Sequence, residues 1–149
     1  MKLLTVLLIL ISSHTSAQTL NKNYDSTLAK SLNADQYGMK KYVLVIIKTG
    51  TKTYEKRVSD SLMMGHMNNI GKLAEEGRLV VAGPIAKNDL TYQGIFIFNT
   101  ADLEEAKQLV NSDPAIKAGI FTTELFSWYA TAALQETFKI HKKLGKKSF

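Results

Sequence analysis

The sequence predicts an α+β fold of the ferredoxin-like class, a four-stranded antiparallel sheet with two helices on one face. Apolar, β-branched segments and amphipathic segments of helical period follow one another in the order β-α-β-β-α-β. The length of 149 residues suits one compact domain. The chain contains no cysteine, so the packing of its core must stabilise the fold without disulfides.

The first strand and the first helix are predicted from different arrangements of apolar residues. Residues 42–47 form an unbroken apolar run, which is typical of a strand buried on both faces. A helix is expected over residues 60–76, with Ser59 and Asp60 at its N-terminus and Gly77 after its C-terminus.

This expected helix has one regular apolar stripe, formed by Leu62, His66, Ile70 and Leu73. Gly65 and Gly71 interrupt the helical sequence, and each costs about 1 kcal/mol relative to alanine. Packing against the sheet must therefore hold the helix.

The second half of the domain is predicted to contain two strands, a helix and a final strand. Residues 79–82 and 94–98 are the expected second and third strands, close enough in sequence to form a hairpin. Thr100 is the expected cap of the second helix, and Asp113-Pro114 ends it, because a residue before proline avoids helical geometry. Residues 120–129 form the expected fourth strand.

The N-terminus has the pattern of a secretory signal peptide, residues 1–17. Lys2 precedes an apolar run, and small residues lead to a cleavage site after Ala17. A membrane anchor is disfavoured, because spanning a bilayer takes about 20 apolar residues. Removal of Lys2 would change the formal net charge from +6 to +5. We expect a secreted or periplasmic protein.

The chain after this leader divides into three parts. Residues 18–38 are expected to form a loosely attached polar arm, residues 39–134 the folded domain, and residues 135–149 a basic C-terminal tail. The tail either contacts an anionic surface or is a solvated segment, and its short apolar face favours the second alternative.

The strands also predict an assembly. They are apolar at consecutive positions, so both faces of the sheet need burial, whereas two helices can cover only one. Either a second copy packs sheet against sheet, or the arm or tail folds over the bare face. We favour the homodimer, because monomers rarely expose so large an apolar face.

Two side chains are candidates for chemistry. His66, on the apolar stripe, is either a general acid or base or a hydrogen-bonded core histidine. Asp113 either holds an imidazole in one tautomer or caps a short helical turn. Tyr42, Glu124 and Trp128 could line a pocket, although aromatic residues in a sheet more often belong to the plain core.

Several other classes of function are not expected. One internal histidine and one aspartate are fewer than the three ligands common in catalytic zinc sites, so we expect no metal. The chain has no glycine-rich phosphate-binding loop, and we expect no cofactor. Its aromatic residues are not interleaved with lysine and arginine, so nucleic acid is not an expected partner.

From about Tyr37 to Leu134 the chain resembles the YCII-related domain family. The matching positions are His66, Gly77, Arg78-Leu79, Ala82-Gly83-Pro84, Asp113-Pro114, Ala118-Gly119, Glu124 and Trp128. The resemblance implies a dimeric ferredoxin-like α+β barrel and a pocket with a His–Asp pair, which falls on His66 and Asp113. The candidate substrate-binding residues are Tyr42, Gly83, Pro84 and Trp128.

Two functions remain open at this point. The first is acid–base chemistry at His66 and Asp113, without a cofactor, on a small cyclic or aromatic molecule, in an elimination, isomerisation or enolisation. The alternative is a dimeric module that binds a small ligand or has a structural role and catalyses nothing.

Overall fold

The computed structural model describes residues 21–146 and shows one sheet of four strands. The strands are β1 (Met39–Thr49), β2 (Leu79–Pro84), β3 (Tyr92–Phe98) and β4 (Phe121–Thr131). Their order is β2-β3-β1-β4, and every neighbouring pair is antiparallel. The predicted ferredoxin-like α+β fold is confirmed. The predicted signal peptide, residues 1–17, lies outside the described residues.

The helices connect and extend this sheet. The α-helices are α1 (Ser26–Ser31), α2 (Lys56–Glu75), α3 (Leu103–Asn111), α4 (Pro114–Lys117) and α5 (Thr137–Leu144), with a 3₁₀ helix at Ala132–Glu136 before the last of them. Within residues 21–146, no helix is both long and apolar enough to cross a membrane.

The main core lies between one face of the sheet and helices α2 and α3. Alternate residues of β1 point toward these helices, and they are buried together with their β3 neighbours. The buried members are Val43, Val45, Ile47, Leu73, Leu79, Phe96, Phe98, Ala106, Leu109 and Val110. Burial of each large apolar side chain stabilises the fold by about 1.5–3 kcal/mol.

The opposite face of the sheet is only partly covered. Tyr42 is buried there against Trp128 and Leu134, and its hydroxyl donates to the Thr131 and Ala132 carbonyls at 3.1 and 3.2 Å. Farther along β4, Phe126 pairs with Leu44 and remains 48% exposed. The C-terminal segment therefore covers one part of this face and leaves an apolar part open in the single chain.

Two helix starts differ from the prediction. Helix α2 begins at Lys56 rather than Asp60, and Ser59 lies inside its first turn. Lys56 pairs with Asp60 across one turn, which supports the extra residues. Helix α3 is capped by Asp102 rather than Thr100, because the Asp102 carboxylate accepts from the Glu104 and Glu105 amides.

The segments before and after the sheet are attached to the domain. The amide of Gln135 donates to the Leu32 carbonyl at 2.7 Å, and the Tyr129 hydroxyl donates to Asp35. In the basic tail, Lys142 pairs with Glu75 of α2 at 2.7 Å. The arm and the first part of the tail are thus tied to the domain more closely than we expected.

Candidate acid–base site

His66 lies on the inner face of helix α2 and is almost buried. It is 8% exposed, and its ring lies beside two aromatic rings of the sheet. The Phe96 ring is nearly parallel to the imidazole at a centroid distance of 5.9 Å, and the Phe121 ring is tilted at 5.4 Å. His66 therefore lies between the helix and the sheet, as the apolar stripe predicted. The structure adds the two aromatic rings beside it.

Asp113 combines the two roles that the sequence left open. It is fully buried at the start of α4, where its Oδ1 accepts from the Ala115 and Ile116 amides at 3.0 and 3.2 Å. Its other oxygen, Oδ2, lies 2.8 Å from His66 Nδ1. The same carboxylate therefore caps a helix and holds an imidazole.

This contact fixes which nitrogen of His66 carries the proton. An aspartate carboxylate only accepts hydrogen bonds, so Nδ1 donates and the lone pair of the neutral ring lies on Nε2. Within residues 21–146, Nε2 has no hydrogen-bond partner. This atom is also not completely buried. The ring nitrogen opposite Asp113 is consequently available for proton transfer.

Two surface clefts of the described chain lie away from this pair. They have volumes of about 440 and 650 Å³ and are lined by α2 residues near Met67 and by α1 residues, and neither includes His66 or Asp113. Between residues 21 and 146, no three His, Cys, Asp or Glu side chains are grouped as metal ligands.

The family model of the YCII-related domain matches residues 41–128. The chain belongs to the YCII-related domain family. The match runs from β1 into β4 and contains both His66 and Asp113.

One solved structure similar to this YCII-related domain is 5-chloro-2-hydroxyhydroquinone dehydrochlorinase from Burkholderia phenoliruptrix AC1100, in complex with 2,5-dihydroxybenzoquinone. The two chains are 22% identical, with a TM-score of 0.41, over 57% of this chain and 92% of that chain. The search of curated proteins found no match.

The YCII-related domain does not bring all the predicted site residues together. Tyr42 and Trp128 are neighbours, with ring centroids 6.3 Å apart, but they lie on the sheet face opposite to His66. The reason is the alternation of side chains along a strand, since Val43 and Val45 face the helices and Tyr42 points away from them. Within one chain, the expectation that Tyr42 and Trp128 line the His66 site is not met.

Gly83 and Pro84 are placed by the pairing of β2 with β3. They end β2, where they pair with Ile95 and Gly94 of β3. These positions are a structural edge of the YCII-related domain in the single chain, and a role in ligand binding remains a prediction.

One polar pair on the open face was not predicted from the sequence. Lys48 Nζ lies 2.8 Å from Glu124 Oε1, and both side chains are partly exposed. The hydrogen bond to Glu124 raises the pKa of Lys48, so the amine stays charged. Glu124 belongs to the family pattern, but its partner on β1 is visible only in the register of the sheet.

Proposed function

We propose that this YCII-related protein is a secreted or periplasmic, cofactor-independent acid–base enzyme of the lyase or isomerase type. Its substrate would be a small cyclic or aromatic molecule. The observation that carries the proposal is the buried contact of 2.8 Å between His66 Nδ1 and Asp113 Oδ2, which leaves Nε2 as the proton acceptor.

The proposed step is a proton transfer at His66. Nε2 removes a proton from a carbon next to a carbonyl group, and the electron pair moves into an enolate or expels a leaving group on the neighbouring carbon. Asp113 stabilises the imidazolium that forms, as carboxylates do in catalytic triads. In an isomerisation, the imidazolium returns the proton at another carbon. In an elimination, it gives the proton to the departing group or to water, which restores the neutral ring. Such acid–base help is worth about 10²–10⁴ in rate.

The surroundings of the pair support this chemistry. Phe96 and Phe121 keep water from two sides of the imidazole, and charge interactions are stronger where water is excluded. Asp113 is held by two backbone amides in addition to His66, so it stays in place when the ring changes charge.

Proton exchange tests the proposal whatever final product the reaction gives. The protein is incubated in D₂O with a panel of cyclic ketones and hydroxyquinones, and deuterium uptake at carbon is followed by NMR. We expect uptake for at least one compound and a loss of about 10²-fold or more in His66→Gln. His141→Gln is the matched control. Equal exchange in the wild type and His66→Gln contradicts the proposal.

A second candidate is a binding or structural module that uses the same pair only to hold α4. It is favoured by the role of Asp113 as N-cap and by the near-complete burial of His66. This alternative predicts that the protein shows no turnover. It also predicts that His66→Gln leaves the ligand affinity largely unchanged. Isothermal titration of the compounds from the exchange panel distinguishes the two.

We also infer a homodimer formed by sheet-to-sheet packing. The open part of the sheet face contains Phe126 and the partly exposed Leu44, Ile46 and Ile95. A second copy would bury these apolar side chains, which the C-terminal segment leaves uncovered. It would also bring the Tyr42 face of one chain against the same face of the other.

The proposed location rests on the leader sequence. Expression of the full chain in a bacterium, followed by mass analysis of the periplasmic fraction, should give a product that begins at Gln18. A full-length product that remains in the membrane fraction contradicts this expectation.

A further inference from the structure

The two glycines inside helix α2 have different surroundings. A Cβ atom at Gly71 would meet nothing within 4 Å. A Cβ atom at Gly65 would lie 2.9 Å from Cγ and 3.3 Å from Cβ of Pro114 in α4. Carbon atoms in ordinary contact are about 3.5–4.0 Å apart, so only a residue without Cβ fits at position 65.

This close approach adjoins the candidate site on both sides. Gly65 directly precedes His66, and Pro114 directly follows Asp113. The contact between Gly65 and Pro114 therefore lies one residue away from each partner of the hydrogen bond, and it limits how near α2 and α4 can come.

We propose that Gly65 is a positioning residue for the His66–Asp113 pair, an inference that rests on the proposed acid–base function. Its missing side chain lets α4 approach α2 until Asp113 Oδ2 reaches hydrogen-bond distance from Nδ1. A methyl group would push the helices apart by about 0.5 Å. Hydrogen bonds between nitrogen and oxygen end at about 3.2 Å, so the contact of 2.8 Å would be lost or weakened.

Helix α4 has little freedom to avoid this displacement. Its C-terminal side is bound to the loop after β1, where the Gly50 amide donates to the Ile120 carbonyl at 2.7 Å. The Tyr54 hydroxyl donates to the Ala118 carbonyl at 2.8 Å. The ring of Pro114 is rigid, so it cannot rotate away as a flexible side chain would.

The test uses ¹⁵N-labelled histidine and NMR of the complete mature protein. In the wild type, His66 should show the Nδ1–H tautomer and a downfield Nδ1–H proton that exchanges slowly. Gly65→Ala should lose this proton signal and show a mixture of tautomers. Gly71→Ala, on the same helix, should keep the wild-type spectrum.

A second variant separates positioning from misfolding. Pro114→Ala removes Cγ, the nearest atom to position 65, so Gly65→Ala/Pro114→Ala should recover the downfield signal at least in part. A wild-type spectrum in Gly65→Ala overturns the positioning role and leaves the proposed function intact. Failure of the double variant to recover any signal, or loss of the signal in Gly71→Ala, also overturns it. Absence of the Nδ1–H tautomer from the wild type contradicts the proposed function itself.

Discussion

His66 Nδ1 and Asp113 Oδ2 lie 2.8 Å apart, although 47 residues separate them in the chain. The remaining oxygen of Asp113 accepts two backbone amides at the start of α4. One carboxylate thus belongs both to the framework and to the candidate site. The two contributions can be separated, because each depends on a different oxygen.

We predict that Asp113→Asn preserves the fold and abolishes acid–base activity. Asparagine is as good an N-cap as aspartate, so its carbonyl oxygen can still accept the amides of α4. Its NH₂ group, however, would donate to Nδ1 and force the proton of His66 onto Nε2. Proton exchange should fall by about 10²-fold or more, while urea unfolding shows a cooperative transition.

Asp113→Ala is the matched comparison. It removes the cap as well as the contact with His66, and loss of an N-cap costs about 1 kcal/mol. The alanine variant should therefore be less stable than the asparagine variant, with similarly low activity. If Asp113→Asn keeps wild-type exchange, the orientation of the imidazole by Asp113 plays no part in the reaction.

The elements, and the position of His66 and of Asp113 within them, could be predicted from local patterns. The apolar run of residues 42–47 marks β1, and the helical spacing of Leu62, His66 and Ile70 places the histidine on the inner face of α2. Asp113 before Pro114 indicates a helix start, which the structure shows as α4. The resemblance to the family then connected the histidine and the aspartate, which the periods alone could not do.

The face to which each strand residue points could not be assigned without the register. Tyr42 and Val43 are both buried, so burial alone does not distinguish the His66 face from the opposite face. The contact of Gly65 with Pro114 could not be predicted either. The sequence does not show whether a neighbouring residue occupies the space that a side chain at a helical glycine would fill. Both features depend on tertiary packing.

We predict that Gly71→Ala stabilises the protein. Gly71 is exposed in the interior of α2, and a new Cβ atom would meet no neighbour within 4 Å. Alanine favours a helix over glycine by about 1 kcal/mol, partly because glycine gives the unfolded chain more freedom. Urea unfolding should show a higher midpoint with an unchanged slope. A lower midpoint would mean that Gly71 has a packing role that the structure does not show.

We predict that the attachment of the arm at Asp35 depends on pH. The hydrogen bond from the Tyr129 hydroxyl holds the pKa of Asp35 below its ordinary value, and the same bond raises the pKa of Tyr129. A depressed carboxyl pKa contributes stability above about pH 4, which is lost as pH falls through the folded pKa. A raised phenol pKa contributes stability below about pH 10, which is lost as pH rises through the folded value.

NMR titration of the Tyr37 and Met39 amides measures this effect, because both donate to Asp35. In Tyr129→Phe the titration midpoint of Asp35 should rise toward the ordinary value. Tyr37→Phe, which leaves the bond to Tyr129 in place, is the control. An unchanged midpoint in Tyr129→Phe would show that the backbone amides alone lower the pKa of Asp35.

We predict that Phe126→Lys converts a dimer into a monomer. Phe126 pairs with Leu44 on the sheet face away from α2, and it is 48% exposed in the single chain. In a sheet-to-sheet dimer, a lysine here would replace a buried apolar side chain by a charge that must leave water, which destabilises the interface. Light scattering should therefore give the mass of two chains for the wild type and one for the variant.

Met64, 67% exposed on α2, provides the control Met64→Lys, which should stay dimeric because it lies on the helical side. A monomeric wild type would contradict the dimer itself. Dissociation by Met64→Lys but not by Phe126→Lys would place the interface on the helical side.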